Sequence, residues 1–157
     1  MGTISICRQL IKIFTTARLS VRELMRIGIT GSPEYNDRRK IKDFIFNLKN
    51  KTSDDIEIVS RANKNGADTL VKKYALEFGY TYIEFPAAHG FRTLHTQLPE
   101  SYFNKPFSIS NYFVQTKMFT KYCDYLVVFT EARSIDRGID NLLSAMDKLD
   151  KKAIIIA

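Results

Sequence analysis

Cysteine, histidine and long apolar runs are what this chain has least of. Its two cysteines are Cys7 and Cys123, and its two histidines are His89 and His95. None of the four lies at a usual metal-ligand spacing, so no metal site is expected. A disulfide framework is excluded in the same way, and a reducing cytoplasm is the expected compartment. Cys123, in an apolar run beside a strand, reads as a small buried residue. No apolar stretch approaches the roughly 20 residues needed to span a bilayer. There is no internal repeat and no low-complexity segment.

What is present is the composition of an ordinary globular domain. The chain has 157 residues, 45% of them hydrophobic and 12% aromatic. A chain of this length buries roughly 70% of its unfolded surface, enough for one core without a metal or disulfide. The net charge is +7. Part of it sits in residues 1–24, where Arg8, Lys12, Arg18 and Arg22 face Glu23 alone. The i,i+4 spacing within each cation pair would suit a basic amphipathic helix, of the kind found in targeting peptides or at membrane surfaces. Met25 stands directly before the first strand, so residues 1–24 are expected to be a dispensable extension and 25–157 a single domain. The remaining charge is spread over mixed-sign helices, and a basic phosphate-binding crevice accounts for it as well as nucleic acid does.

From Met25 strands and helices alternate. Strands are expected at Arg26–Gly31, Asp55–Ser60, Tyr80–Phe85, Tyr125–Thr130 and Ala153–Ile156. Helices are expected at Asp37–Lys49, Gly66–Phe78, Ser108–Tyr122 and Gly138–Leu149. The helix from Gly66 carries Ala67, Leu70, Val71, Tyr74, Ala75 and Phe78 on one stripe, with Gly79 as its C-terminal stop. Ile139, Leu142, Leu143, Met146 and Leu149 are expected inward on the last helix. Residues 86–106, with Pro86, Pro99, Pro106 and Gly90, form a long irregular connection. Five strands alternating with helices give an α/β, Rossmann-like, doubly wound parallel sheet flanked by helices, in the order 3-2-1-4-5.

In that order the switch point falls between strands one and four, and the connections after strands one, two and four share an edge. Gly31 and Ser32 follow the first strand, and Ser60 and Arg61 end the second. Gly66, Ala67 and Asp68 open the next helix, where free N–H groups favour an anion. The same three residues suit plain helix capping, and an acid in the first turn complements the macrodipole. Asp68 would serve a ligand by accepting a ribose hydroxyl or by ordering its loop. Thr130, Ser134, Arg137 and Gly138 line the connection after the fourth strand. Arg61, Lys64, Arg133 and Arg137 are cations for phosphate, Arg137 the first of them.

The pieces GITGS, NGAD, EFPAAH, NYFVQTKM and DYLVVF, taken in order over nearly all of Met25–Ala157, resemble the SLOG superfamily in its YspA/YpsA-related branch of bacteria and phages. The resemblance implies a Rossmann-like protein binding a nucleotide or nucleotide-derived small molecule, in a bacterial or phage-infected cell, with no resident cofactor. Related branches include cytokinin-activating phosphoribohydrolases, a single-strand DNA-processing protein and sensors of signalling nucleotides. The chain departs from the pattern in three places. Ser60-Arg61-Ala62 replaces a paired glycine, Gln115-Thr116 replaces an Arg-Asn pair, and EARSIDRGID replaces a glycine-rich loop ending in Gly-Thr. Gln115 therefore joins the candidate ligand residues, and Leu142 stands where the hydrolases carry a glutamate.

The leading expectation is ligand binding without chemistry, for sensing or sequestration. An N-glycosidase would have to use Asp68, Asp136 or Asp140. Single-stranded nucleic acid would stack on Tyr102, Phe103, Phe107, Tyr112 and Phe113 beside Lys105 and Lys117. Residues 86–113 are the candidate surface for a homo-oligomer.

Overall fold

The computed structural model describes residues 23–51, 55–131 and 136–157. The strands are β1 (Leu24–Gly31), β2 (Asp55–Ser60), β3 (Thr81–Glu84), β4 (Tyr125–Phe129) and β5 (Lys152–Ile156). The helices are α1 (Arg38–Lys51), α2 (Ala67–Glu77), α3 (Ser110–Tyr122) and α4 (Arg137–Lys148), with a 3-10 turn at Glu100–Tyr102. The sheet runs β3-β2-β1-β4-β5 with every pair parallel. This is the expected α/β doubly wound architecture, and the switch point lies between β1 and β4.

Alternation along the strands builds a core on each face. Val127 and Phe129 of β4 join Ile27, Ile29 and Ile58 beneath α1 and α2, with Ile41, Phe44, Ile45, Leu48 and Val71 inward. Leu126 and Val128 point the other way, with Val59 and Phe85, against Phe119, Cys123, Ile139, Leu142 and Met146. An apolar residue at each step of β4 is therefore what a central strand covered on both faces requires.

Helix ends follow local chemistry. Asp136 caps α4, its Oδ1 accepting from the Ile139 N–H at 2.8 Å. Such a cap contributes about 1 kcal/mol. At the end of α2, the Gly79 N–H donates to Leu76 O and the Tyr80 N–H to Ala75 O. That Schellman pattern needs the left-handed backbone Gly79 adopts, at φ 77°. It also takes Tyr80 out of β3, which is shorter than its apolar run suggests. Leu149 is a correction: it is the C-cap of α4 and is exposed, because the helix stops before it can turn inward.

Candidate functional site

The C-terminal edge of the sheet holds a closed polar knot between β1 and β2, and beside it the switch point between β1 and β4. The knot is centred on Asp68, which is only 1% exposed. The Thr30 hydroxyl donates to Asp68 Oδ1 at 2.7 Å, and the Asn63 N–H donates to Oδ2 at 3.1 Å. Arg61 Nε donates to the Thr30 oxygen at 3.1 Å, completing a relay from guanidinium to hydroxyl to carboxylate. Burial pushes the Asp68 carboxyl above the usual carboxylate range, against the opposing pull of Arg61, Thr30 and Asn63.

Asp68 therefore orders the loop that leads into α2. Ser60, fully buried, shapes the same loop: its Oγ accepts from the Ala62 N–H at 3.0 Å. Ala62 sits at φ 59°, the left-handed region where a glycine is favoured. Gln115 reaches across from α3 and donates to Arg61 O at 2.9 Å and to Phe85 O at 2.8 Å. It ties the end of β2 to the end of β3 through backbone carbonyls.

Gly66 and Gly31 close this side by contact. A Cβ on Gly66 would stand 2.5 Å from the carbonyl oxygens of Ser32 and Pro33. A Cβ on Gly31 would stand 2.1 Å from Phe129 O and 2.7 Å from the Ala67 Cβ. The N-terminus of α2 is thus packed against the turn after β1, and the end of β1 against the end of β4.

At the switch point backbone hydrogen bonds hold the strand ends together. The Ser32 N–H donates to Phe129 O at 3.1 Å, and the buried Thr130 donates its N–H to Ile156 O at 3.0 Å. Arg137 and Gly138 occupy the first turn of α4, both exposed. Ser134 and Arg133 lie outside the described residues, as does the basic extension through residue 22.

Two of the three carboxylates weighed for catalysis have structural duties. Asp68 holds its loop and Asp136 caps α4, which leaves Asp140 exposed in the first turn of that helix. Of the aromatic residues weighed for base stacking, Phe103 is buried and the Tyr102 hydroxyl donates to Pro86 O at 3.1 Å. Phe107, Tyr112 and Phe113 are exposed. The His89 ring packs against Phe107 and Tyr112, and the His95 ring against Tyr82. Among the described residues no group of three or more His, Cys, Asp or Glu side chains is placed to hold a metal ion.

Beside the knot lies a second buried carboxylate that the sequence did not single out. Glu84 accepts from the Tyr82 hydroxyl at 2.9 Å and from the Thr93 hydroxyl, with Lys72 Nζ 3.6 Å away. Its signal was weak, since a glutamate closing a short edge strand ordinarily faces water.

No protein-family model matches the sequence, and no curated protein does. Solved structures do match in shape. One is the molybdenum cofactor carrier protein from Chlamydomonas reinhardtii, with a TM-score of 0.58 and 11% identity, covering 85% of this chain and 76% of that one. Another is the protein TM1055, with a TM-score of 0.54 and 12% identity, covering 85% of this chain and 72% of that one. At such identities the likeness is one of fold: this chain has the α/β Rossmann-like architecture of both.

Proposed function

We propose that this chain is a SLOG-type protein that binds a nucleotide or nucleotide-derived small molecule at the β1/β4 switch point and performs no chemistry on it. The observation that carries this reading is the division of the sheet edge. The β1/β2 side is filled by the protein's own polar groups, while the switch point, where doubly wound folds receive ligands, is bordered by Ser32, Thr130 and the N-terminus of α4. Arg137 there supplies a cation for a phosphate. One neighbour of the same fold is named as a cofactor carrier, which accords with binding rather than turnover. The YspA/YpsA-like branch, a bacterial or phage-host cytoplasm, and a domain of residues 25–157 with a dispensable extension belong to the same proposal. Among the described residues no helix is long and apolar enough to cross a membrane.

Thermal unfolding with AMP, cyclic and dinucleotides and ADP-ribose tests the reading. A ligand at a hundredfold excess over its dissociation constant stabilises the folded chain by about 2.7 kcal/mol and raises the midpoint. No rise with any of them at millimolar concentration would end it. Free adenine appearing from AMP would instead favour the N-glycosidase reading.

The exposed aromatic surface favours a homo-oligomer over nucleic acid. Phe107 is 68% and Phe113 58% exposed, and Phe91, Ile109, Tyr112 and Val114 are exposed with them. Residues 106–116 carry no charge, so two copies of a +7 chain meet there without the repulsion that acts elsewhere. Aromatic side chains of this size bury roughly 150–250 Å² each, and a stable interface needs about 800 Å² per partner. Sedimentation that stays monomeric at high concentration would refute it.

A further inference from the structure

A groove of about 400 Å³ runs between α3 and α4. Phe113, Lys117, Thr120 and Lys121 line it from α3, and Asn141, Ala145, Lys148 and Leu149 from α4 and its end. On each helix those four fall at i, i+4, i+7 and i+8, one face over two turns, or about 12 Å. They are not the residues that pack on the sheet, which are Phe119 on α3 and Ile139, Leu142 and Met146 on α4. The buried Thr120 spends its hydroxyl within its own helix, donating to Thr116 O at 2.8 Å. Ala145 is half-buried, and the large side chains of Phe113 and Leu149 stand exposed at the margins.

Every charged residue lining this groove is a lysine. There is no acid anywhere on α3. Among the described residues carboxylates lie 3.6–3.9 Å from Arg26, Lys40 and Lys72, and none pairs with Lys117, Lys121 or Lys148. Lysines in a last turn suit the helix macrodipole, but the end of α3 is already served. Lys151 Nζ donates to the carbonyls of Thr120, Lys121 and Cys123 at 2.7–2.9 Å, so Lys121 is not needed there. The groove between α1 and α2 is the contrast. Arg38, Arg39, Lys42 and Lys73 line it together with Asp43 and Glu77, an ordinary mixed-sign surface.

An apolar floor under three unpaired ammoniums suits an occupant that is apolar on one side and acidic along its edges. A second copy of this chain, at +7, brings the wrong sign, as do residues 1–24. A nucleic-acid strand would find cations here but neither arginine nor a polar floor. Lys117 and Lys121, one turn apart, match acids one turn apart on a facing helix. The three lysines lie beyond the uncharged 106–116 surface, with Phe113 and Thr116 common to both.

We propose that this groove docks an acidic amphipathic helix of another protein. Its apolar stripe would lie on Phe113, Ala145 and Leu149, and its carboxylates would meet Lys117, Lys121 and Lys148. The site is separate from the sheet edge and stands whether or not a nucleotide binds there.

The test is fluorescence anisotropy on the full chain with three labelled peptides of about 14 residues, four helical turns. One is a leucine–glutamate helix with its leucines on one face, one its leucine–lysine counterpart, and one a glutamate–serine peptide without leucine. Only the first should bind. Lys117→Gln, Lys121→Gln and Lys148→Gln together should weaken it about tenfold. Arg38→Gln, Arg39→Gln and Lys42→Gln together remove the same charge from the α1/α2 groove and should leave the affinity within about twofold. Ala145→Trp, which fills the groove without altering its charge, should weaken binding as well. Should that variant fail to fold, the lysine triple, changed only at exposed side chains, decides. Equal weakening by the two cation triples would show attraction by net charge alone and overturn the proposal. So would equal binding of the peptide without leucine, or no binding of the leucine–glutamate helix at about 100 μM. A lysine triple whose sedimentation shows lost self-association would give the groove to a second copy instead, and would overturn it too.

Discussion

Gly31→Ala is expected to destabilise the chain by about 3 kcal/mol or more, read as a lowered urea midpoint with an unchanged slope. The methyl would stand 2.1 Å from a backbone oxygen of Phe129, the residue paired with Gly31 across the β1/β4 ladder. Neither strand can yield, because each is bonded into the sheet on both sides. The Ala67 Cβ, 2.7 Å away, blocks the other direction. The effect is one of space, not of backbone conformation. Gly138→Ala is the contrast: its methyl would meet Asp136 Oδ1 at 3.4 Å, and in the first turn of α4 alanine is the better helix former. That variant should be neutral or slightly stabilised. Equal tolerance at both positions would show that the sheet edge is looser than described.

Asp68→Ala is expected to cost about 3–5 kcal/mol, because it strands the Arg61 guanidinium, the Thr30 hydroxyl and the Asn63 amide together. The pH dependence carries a second signature. An acid whose folded pKa exceeds its unfolded value of about 3.9 binds its proton more tightly when folded. Its contribution to stability is therefore fully present below the unfolded value and declines as the pH rises through the raised one. The variant should lack that decline, so its deficit against the wild type is larger at pH 4 than at pH 7. A deficit that grows with pH would show that Asp68 is held ionised, with its pKa lowered instead.

These two positions also separate what was legible in the sequence from what was not. Gly31 and Asp68 were visible because each breaks a pattern, a glycine ending an apolar strand and an acid opening a helix. The bounds of β2 and the inward stripe of α2 followed from periodicity alone, as did the strand order from alternation and handedness. The knot was not visible, since Thr30 and Asp68 are 38 residues apart and Arg61 lies 31 from Thr30. Only the sheet brings them together, and no local pattern marks a threonine as a relay. Gln115 was noticed for standing where arginine is usual, but its carbonyl-bridging role depends on α3 crossing the ends of β2 and β3. Tyr35 escaped notice altogether, because a tyrosine after Pro33-Glu34 reads as a surface turn. Its burial comes from Phe129, far away in the chain.

On the proposed reading the ligand binds at the β1/β4 switch point and not at the turn before α2. Amide chemical-shift mapping on the full chain, titrated with AMP, tests it most directly. Saturable shifts are expected at Ser32, Thr130, Arg137 and Gly138, with Asn63 and Asp68 little moved. Shifts centred on Asn63–Asp68, with the β1/β4 residues silent, would contradict it.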